Sequence, residues 1–170
     1  MYYCSPGFVG APSGHTYIGY GTVLSMKRAD DSVIQVYWSE ASPNITGAPL
    51  NLVRRFDETK WYPWEWVNPP MVLGTEYRTT ERFMGSPVYV KLVDFGALPN
   101  NNQKDVSVLD AGTMKCGIDL KMITYNNQAF KQYGGITVQV LQNDVITVVT
   151  NYNLSAIKAF FLIKYTKSAD

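Results

Sequence analysis

The chain has few residues of the types that build metal centres and disulfide frameworks. Its 170 residues include two cysteines, Cys4 and Cys116, and one histidine, His15. These counts exclude a four-ligand zinc site made of cysteine and histidine, and they exclude a framework of several disulfides. Because the two cysteines are far apart in sequence, we expect both to be unpaired thiols. We expect no metal site and no cofactor.

Charge and long apolar runs are also scarce. Charged residues make up 17% of the chain, and fifteen Lys and Arg oppose fourteen Asp and Glu, for a formal net charge of +1. Such a balance gives no overall field that would hold a nucleic-acid backbone or an anionic membrane. The longest apolar stretch, Ala159 to Ile163, is far shorter than the roughly 20 residues of a membrane span. We therefore expect neither nucleic-acid binding nor membrane insertion.

Aromatic residues, in contrast, are abundant. They make up 14% of the chain, with twelve Tyr and four Trp, a bias that favours strands over long helices. Short alternating runs are separated by clusters of Gly, Pro, Asn and Asp, which is typical of antiparallel sheets. The sequence therefore predicts an all-β fold with strands at Tyr17–Met26, Ser32–Trp38, Leu50–Phe56, Trp61–Val67, Val88–Phe95, Val106–Leu109, Leu120–Tyr125, Ile136–Leu141, Val145–Thr150 and Ala159–Tyr165.

A proline pair divides the chain. Pro69 and Pro70 cannot donate ladder hydrogen bonds, and each forces an extended conformation on the residue before it. We place a domain boundary there, with a first module at residues 1–68, a linker at 69–74 and a second domain at 75–170. The second part offers about six strands over roughly 100 residues, which is typical of a β-sandwich or jelly roll.

The first module carries four short motifs: a Gly-Thr-apolar strand, a strand centred on Gln, a strand that ends in Arg and a Trp-rich closing segment. In this pattern the module resembles the knob of phage and pyocin tail fibres. The resemblance implies a small antiparallel β module whose opening strand is cut off at Met1. The four motifs are Tyr20–Leu24, Ile34–Tyr37, Val53–Arg55 and Trp61–Val67.

The second domain carries a longer motif. Gly85–Lys91 reads Gly-Ser-Pro-Val-Tyr-Val-Lys, Phe95–Asn100 reads Phe-Gly-Ala-Leu-Pro-Asn, and the chain nears its end with Lys164–Lys167. This pattern resembles the C-terminal domain of tail fibre and baseplate proteins in phages and prophages. The resemblance implies a trimeric component of the virion tail, made in the host cytoplasm, which contacts other tail subunits and meets the bacterial surface. It carries over no catalytic residue.

Three aromatic side chains are the candidate ligand site. Flat rings stack on the apolar faces of sugars, while neighbouring polar groups orient the hydroxyls. Tyr37 and Trp38 end a predicted strand, and one of them must face outward if that strand is regular. Trp66 lies in the closing segment, on the same face as Trp64. We expect Trp61 and Trp64 to be buried core residues, and we expect a solvent-facing ligand surface at Tyr37, Trp38 or Trp66.

Other marked residues have plainer interpretations. Of the adjacent Arg54 and Arg55, one is expected to point inward and the other to be solvated. Phe95 is expected to be buried at a strand end, with Gly96 at a turn where a positive φ is tolerated. The three asparagines Asn100–Asn102 favour a turn, and His15 is expected to lie in an exposed loop.

The sequence thus predicts a tail-fibre tip that binds a bacterial surface component, with a saccharide as the expected ligand and no enzymatic activity. One alternative is a structural domain that caps or trimerises the fibre while another segment binds the receptor. A second alternative is a glycan depolymerase, which needs two carboxylates held about 5 to 10 Å apart. Its candidate carboxylates are Glu40, Glu65, Glu76, Glu81 and Asp94.

Overall fold

The computed structural model describes residues 2–4, 20–29, 32–39, 49–110, 112–124, 136–141 and 144–169. These residues form strands and turns and contain no helix, so the all-β prediction is confirmed. No described segment is a helix of the length and apolarity needed to cross a bilayer. The strands are β1 (Tyr2–Cys4), β2 (Gly21–Ala29), β3 (Ser32–Ser39), β4 (Asn51–Asp57), β5 (Lys60–Trp61), β6 (Glu65–Trp66), β7 (Glu76–Phe83), β8 (Ser86–Ala97), β9 (Gln103–Ser107), β10 (Met114–Thr124), β11 (Ile136–Leu141), β12 (Val145–Thr150) and β13 (Lys158–Lys167).

The chain divides into two compact units. The first comprises Met1–Pro70 together with Tyr77–Thr80, and the second comprises Met71–Glu76 together with Glu81–Asp170. The middle of β7 therefore belongs to the first unit, although it follows the proline pair in sequence. Independent folding of residues 1–68 and 75–170 stays a prediction.

The first unit is a sheet in the order β1-β2-β3-β4-β6-β7, with β5 paired to β4. All of these pairs are antiparallel except β6 with β7, which is parallel. One row of paired side chains crosses five strands, and every member is buried. Because alternate residues of a strand share a face, this row forms the core of the unit. Its members are Val23, Tyr37, Leu52, Trp66 and Thr79.

Gly21 allows the Tyr37 ring and the Trp38 backbone carbonyl to lie close to β2, because a Cβ atom at this position would collide with both. A Cβ atom placed on Gly21 would lie 2.6 Å from one carbon of the Tyr37 ring and 2.7 Å from another. The Tyr37 hydroxyl reaches the backbone oxygen of Tyr20 at 3.4 Å. The glycine of the Gly-Thr-apolar motif is therefore required by close approach rather than by a positive φ.

The predicted strand Trp61–Val67 is wrong as a single element. It is replaced by β5 and β6, which are two residues each and are separated by Tyr62–Trp64. Pro63 lies in the gap and has no N–H to continue a ladder. Both short strands still pair with β4, since Phe56 faces Trp61 and Leu52 faces Trp66.

The second unit contains two sheets, in the orders β7-β8-β13-β10 and β11-β12-β9. Their buried apolar side chains form one cluster that draws on both sheets, which makes this unit a β-sandwich. The Phe95 and Phe161 rings meet edge to face inside it, with centroids 5.3 Å apart. The buried cluster is Tyr89, Val93, Phe95, Leu98, Val108, Ile146, Val148, Leu154, Ala159, Phe161, Ile163 and Tyr165.

A β-bulge lies near the end of β8. Phe160 pairs with Asp94, but Ala159 pairs with Gly96, so Phe95 is the extra residue. Phe95 is buried and Gly96 has φ of 72°, as predicted. The strand nevertheless continues to Ala97, so the expected strand end is wrong. The Lys104 ammonium donates to the Phe95 and Ala97 carbonyls at 2.7 and 2.8 Å, which replaces hydrogen bonds that the bulge interrupts.

Candidate functional site

The structure places two of the three predicted ligand residues in the core. Tyr37 is 1% exposed and Trp66 is 2% exposed, since both belong to the buried row of the first unit. Trp66 meets Tyr77 edge to face at a centroid distance of 5.2 Å. The solvent-facing surface expected at Tyr37, Trp38 or Trp66 is thus wrong for Tyr37 and Trp66, because one face of the sheet uses these rings to fill its core. A ligand role for the three residues stays a prediction.

Trp38 lies on the opposite face of β3 from Tyr37, as strand alternation requires. Three consecutive rows of that face contain mainly apolar side chains, all of them half-buried or exposed. Met26 is 45% exposed and Ile34 is 39% exposed. We call this surface the open face. Its apolar members are Leu24, Met26, Ile34, Val36, Trp38 and Val53.

Arg54 is stacked between two tryptophans. Its Cζ lies 4.2 Å from the centroid of the Trp61 ring and 4.4 Å from that of Trp64. Its Nε donates to Gln35 Oε1 at 2.8 Å. Burial lowers the pKa of the Arg54 guanidinium below its ordinary value, and arginine still remains protonated.

Arg55 points the other way and is exposed, so the prediction of one inward and one solvated arginine is confirmed. The predicted burial of Trp64 is also confirmed. The predicted burial of Trp61 is wrong, because this ring is 40% exposed. Trp61 belongs to the two-residue strand β5, where it packs on Arg54 and Phe56 instead of joining the buried row.

A polar pocket lies within the second unit and has a volume of about 550 Å³. Its walls come from the start of β7, the middle of β8, the segment that joins β9 to β10 and the end of β13. The lining combines ammonium, carboxylate and hydroxyl groups with two aliphatic side chains. The lining residues are Glu76, Lys91, Ser107, Val108, Leu109, Asp110, Thr113 and Lys167.

Glu76 is the most constrained carboxylate of this pocket. One of its oxygens accepts from the Tyr165 hydroxyl and the other accepts from the Lys167 ammonium. Lys167 also lies 4.4 Å from the centroid of the Tyr89 ring. Burial, with a smaller contribution from the Glu76 carboxylate, raises the pKa of Tyr165 well above its ordinary value. Tyr165 therefore keeps its phenol proton and donates it to Glu76.

Lys91 enters the pocket from the inner face of the sandwich. It lies on the same face of β8 as the buried residues Tyr89 and Val93, and it pairs across the ladder with buried Ile163. Its ammonium donates to the Val108 carbonyl at 2.9 Å. Among the described residues no carboxylate lies within ion-pair distance of this ammonium. A lysine on the core-facing side of a strand is unusual unless it is paired.

Buried Asp144 holds the loop wall of the pocket in place. Its carboxylate accepts from the backbone N–H of Thr113 at 3.0 Å and from that of Met114 at 2.9 Å. Its own carbonyl accepts from Val108 N–H at 2.9 Å. Asp144 has φ of 61° and directly precedes β12, which pairs antiparallel with β11. The pocket wall is therefore tied to the sandwich by three hydrogen bonds.

Of the five carboxylates considered for glycan cleavage, only Glu76 lines the pocket. Glu65 pairs with Arg78 at 3.1 Å, and Glu81 pairs with Lys164 at 2.7 Å. Asp94 accepts from the Gly96 N–H inside the bulge. Glu40 and His15 lie outside the described residues. No group of three or more potential metal ligands occurs in the described part of the chain.

Two minor expectations are also resolved. Asn101 has φ of 50° and its N–H donates to the Tyr152 carbonyl, which confirms the turn at Asn100–Asn102. Cys116 carries a free thiol, as expected.

Sequence reasoning missed the pocket because its residues come from four distant segments and form no motif. One signal was available in the sequence. Lys91 is a charged residue within an otherwise apolar run, and strand alternation places it on the same face as Tyr89 and Val93.

No protein-family model matches the chain, and no curated protein matches its sequence. Among solved structures, the chain is similar to an N-truncated R2-type pyocin tail fibre, with 6% identity and a TM-score of 0.35 over 88% of this chain and 84% of that chain. It is also similar to a C-terminal fragment of the R1 pyocin fibre of P. aeruginosa, with 9% identity and a TM-score of 0.26 over 85% of this chain and 56% of that chain. The structural neighbours are therefore pyocin tail fibre fragments, at scores that transfer no residue role to this chain.

Proposed function

We propose that the chain is part of a phage-type tail fibre and that its second unit binds a saccharide of the bacterial surface. The observation that carries the proposal is the polar pocket of the β-sandwich. Its volume of about 550 Å³ lies within the range of small-molecule sites, about 300 to 1,000 Å³. The tail-fibre assignment comes from the motif resemblance of Tyr20–Val67 and Glu76–Asn100.

A saccharide suits this lining because each hydroxyl of a sugar both donates and accepts. The pocket supplies donors from Lys91 and Lys167 and acceptors from Glu76 and Asp110, with Ser107 and Thr113 able to do both. Val108 and Leu109 add a small apolar surface on which the C–H face of a sugar ring can rest. A lipid or a flat aromatic ligand would leave most of these polar groups unpaired, which is costly.

Binding without cleavage fits the hydrogen bonds of Glu76. A general acid for glycoside hydrolysis must hold a proton, and such groups sit in surroundings that disfavour ionisation. Glu76 instead has both carboxylate oxygens engaged as acceptors, one by the Tyr165 hydroxyl and one by the Lys167 ammonium. We therefore propose a binding site and no enzymatic activity.

The first unit is proposed to mediate self-association into a homotrimer. The open face presents six apolar side chains on three adjacent strands. A sheet with two apolar faces is normally covered on both, and the described residues leave Met26 and Ile34 of this face exposed. This surface also favours the rival function, a structural domain that trimerises the fibre without binding cells. The two functions can coexist, one in each unit.

The saccharide site is tested by blocking the pocket. Ser107→Trp places a bulky ring in the lining, while Gln103→Trp makes the same change on the same exposed face of β9, outside the lining. The full chain is labelled, and its binding to intact bacteria and to their purified surface polysaccharide is measured. We expect the Ser107→Trp variant to lose at least tenfold in binding and the Gln103→Trp variant to bind normally. Equal binding by both variants would overturn the pocket assignment, and absence of binding by the wild-type chain would favour the structural role.

The open face is tested by a charge placed in its centre. Ile34→Asp should abolish concentration-dependent assembly in sedimentation and light scattering, because burying an unpaired carboxylate is costly. Ile123→Asp is the matched control, since Ile123 is also 39% exposed but lies on β10 in the second unit. Trp38→Ala in the same experiments, combined with cell adsorption, decides whether this ring serves assembly or ligand binding. A wild-type chain that stays monomeric at high concentration would contradict the homotrimer.

A further inference from the structure

The polar pocket contains four charged side chains, and two of them neutralise each other. Lys167 and Glu76 form an ion pair in which the Glu76 carboxylate also accepts from Tyr165. Lys91 and Asp110 line the same pocket but form no ion pair with each other. The pocket therefore holds one positive and one negative group that no described side chain compensates.

The two uncompensated groups lie in different surroundings. Lys91 projects from the inner face of β8, beside the core residues Tyr89, Val93 and Ile163, and is partly buried. Val108 takes one of its three ammonium hydrogens, which leaves two for a ligand. Asp110 is exposed in the loop after β9, so its carboxylate is at the solvent side of the lining. The uncompensated positive charge of Lys91 is thus in the interior of the pocket, and the uncompensated negative charge of Asp110 is at its rim.

We propose that this pocket selects a zwitterionic sugar, one that carries an anionic group and an ammonium group on the same residue. This inference rests on the proposed saccharide site and specifies its ligand. The anionic group accepts from Lys91, and the ammonium group donates to Asp110. The ring hydroxyls use the remaining donors and acceptors, chiefly Ser107 and Thr113.

Neither a neutral nor a singly charged sugar satisfies both groups. A neutral sugar leaves the partly buried Lys91 without a counter-charge, although charge-assisted hydrogen bonds are the stronger kind. A purely anionic sugar satisfies Lys91 but brings its charge past the Asp110 carboxylate. A purely cationic sugar satisfies Asp110 and leaves Lys91 unneutralised. Only a ligand with both charges matches the polarity of the lining.

Four sugars that differ only in these two charges test the proposal: glucosamine 6-phosphate, glucose 6-phosphate, glucosamine and glucose. Their affinities for the full chain are measured by NMR titration or calorimetry. We expect glucosamine 6-phosphate to bind roughly tenfold more tightly than either singly charged sugar, since each charge-assisted hydrogen bond is expected to contribute about that factor. The preference should weaken at high salt, where partly exposed charges are screened.

Two variants assign the two charges to their residues. Lys91→Met should remove the preference for the phosphate and keep the preference for the ammonium group. Asp110→Asn should do the reverse. Lys121→Met and Asp119→Asn are matched controls on exposed positions of β10, and they should change neither preference. A thermal melt of each variant confirms that the fold is kept.

The outcomes separate this inference from the function on which it rests. If all four sugars bind with similar affinity and Ser107→Trp blocks them, the saccharide site stands and the charge selectivity is wrong. If glucose 6-phosphate binds as tightly as glucosamine 6-phosphate, the site takes anions and the role of Asp110 is wrong. If none of the four binds while the chain still adsorbs to cells, the ligand surface lies elsewhere and both proposals for the pocket fail.

Discussion

The two units use the same strand alternation with opposite results. In the second unit, alternate side chains of β8 and β13 meet those of β12 from a second sheet, and they form one buried cluster. In the first unit, one face of β2, β3 and β4 is buried along a single row, while the other face leaves Met26 and Ile34 exposed. Among the described residues, apolar alternation thus accompanies a closed core in the second unit and an open apolar face in the first.

The polar groups of the two units show the same contrast. In the first unit the row next to the core is Ser25, Gln35 and Arg54, joined side chain to side chain by hydrogen bonds. In the second unit Lys91 takes a core-facing position and finds a backbone carbonyl instead of a carboxylate. In the first arrangement the guanidinium is enclosed between the Trp61 and Trp64 rings, so the row is structural. The second leaves charge available, which is why the proposed binding site lies there.

The largest expected difference between the units comes from truncating a core ring and an open-face residue. Phe161→Ala removes a fully buried ring that meets Phe95, and it should lower the free energy of unfolding by about 3 to 5 kcal/mol. Ile34→Ala on the open face should cost less than about 1 kcal/mol in the isolated chain. Urea unfolding followed by circular dichroism measures both values. Similar losses for the two variants would mean that the open face is already covered in solution.

A smaller effect is expected from two glycines that are required for different reasons. Gly21→Ala would place its Cβ against the Trp38 backbone oxygen and the Tyr37 ring, and overpacking of this kind costs about 1 to 3 kcal/mol. In Gly112→Ala, a substitution in the second unit, the new Cβ meets no atom within 4 Å. The variant is destabilised only because φ is 80°, and this costs about 1 kcal/mol. Thermal melts of both variants provide the comparison. A harmless Gly21→Ala would show that the buried row of the first unit can shift to make room.

The sequence predicted the strands whose apolar alternation is regular and missed those stabilised by neighbouring strands. The bounds of β11 and β12 are as predicted. β7 was not predicted because Glu76–Phe83 is mostly polar, and only Tyr77 and Thr79 are buried. β10 begins at Met114, six residues before the predicted start, because its Gly117 and alternating polar residues resemble a loop. In each missed case the pairing partner decides the structure, and the local sequence does not contain it.

The candidate site could be predicted even less well. Aromatic content pointed to Tyr37 and Trp66, but a small sheet uses its largest rings to fill its core. The pocket depends on Glu76 and Lys167 meeting across 91 positions of sequence. Such a pairing follows from the strand order and not from any local pattern.

A third test compares the adjacent arginines of β4. Arg54→Met loses two ring contacts and the hydrogen bond to Gln35, and it should lower the free energy of unfolding by about 1 to 2 kcal/mol. Arg55→Met removes an exposed ion pair with Asp57 and a ring contact with Tyr62, and it should change the free energy of unfolding by less than about 1 kcal/mol. Tryptophan fluorescence should respond to the first variant alone, because only Arg54 stacks on tryptophan rings. Equal effects would mean that the stack around Arg54 forms without stabilising the first unit.

The smallest expected effect is a pH dependence confined to the second unit. Folding raises the pKa of Tyr165 above its unfolded value of about 10, so the folded state keeps the phenol proton more tightly. The resulting stabilisation is fully present below pH ~10 and is lost as the pH rises above that value toward the folded pKa. Tyr165→Phe cannot ionise, so wild type should exceed it in unfolding free energy by about 1 kcal/mol at pH 8, and that gap should shrink at pH 11.

Tyr152→Phe is the control for this titration, since Tyr152 is exposed in the same unit. The unfolding free energy of this variant is measured at the same two pH values, and its difference from wild type gives the effect of removing an exposed hydroxyl. The difference in unfolding free energy between wild type and Tyr165→Phe could instead stay constant from pH 8 to pH 11. This result would show that the phenol ionises as readily in the folded chain as in the unfolded one. The pocket wall at Glu76 would then be open to solvent. In that case only the buried cluster of the second unit, and not its pocket, would differ from the open face of the first unit.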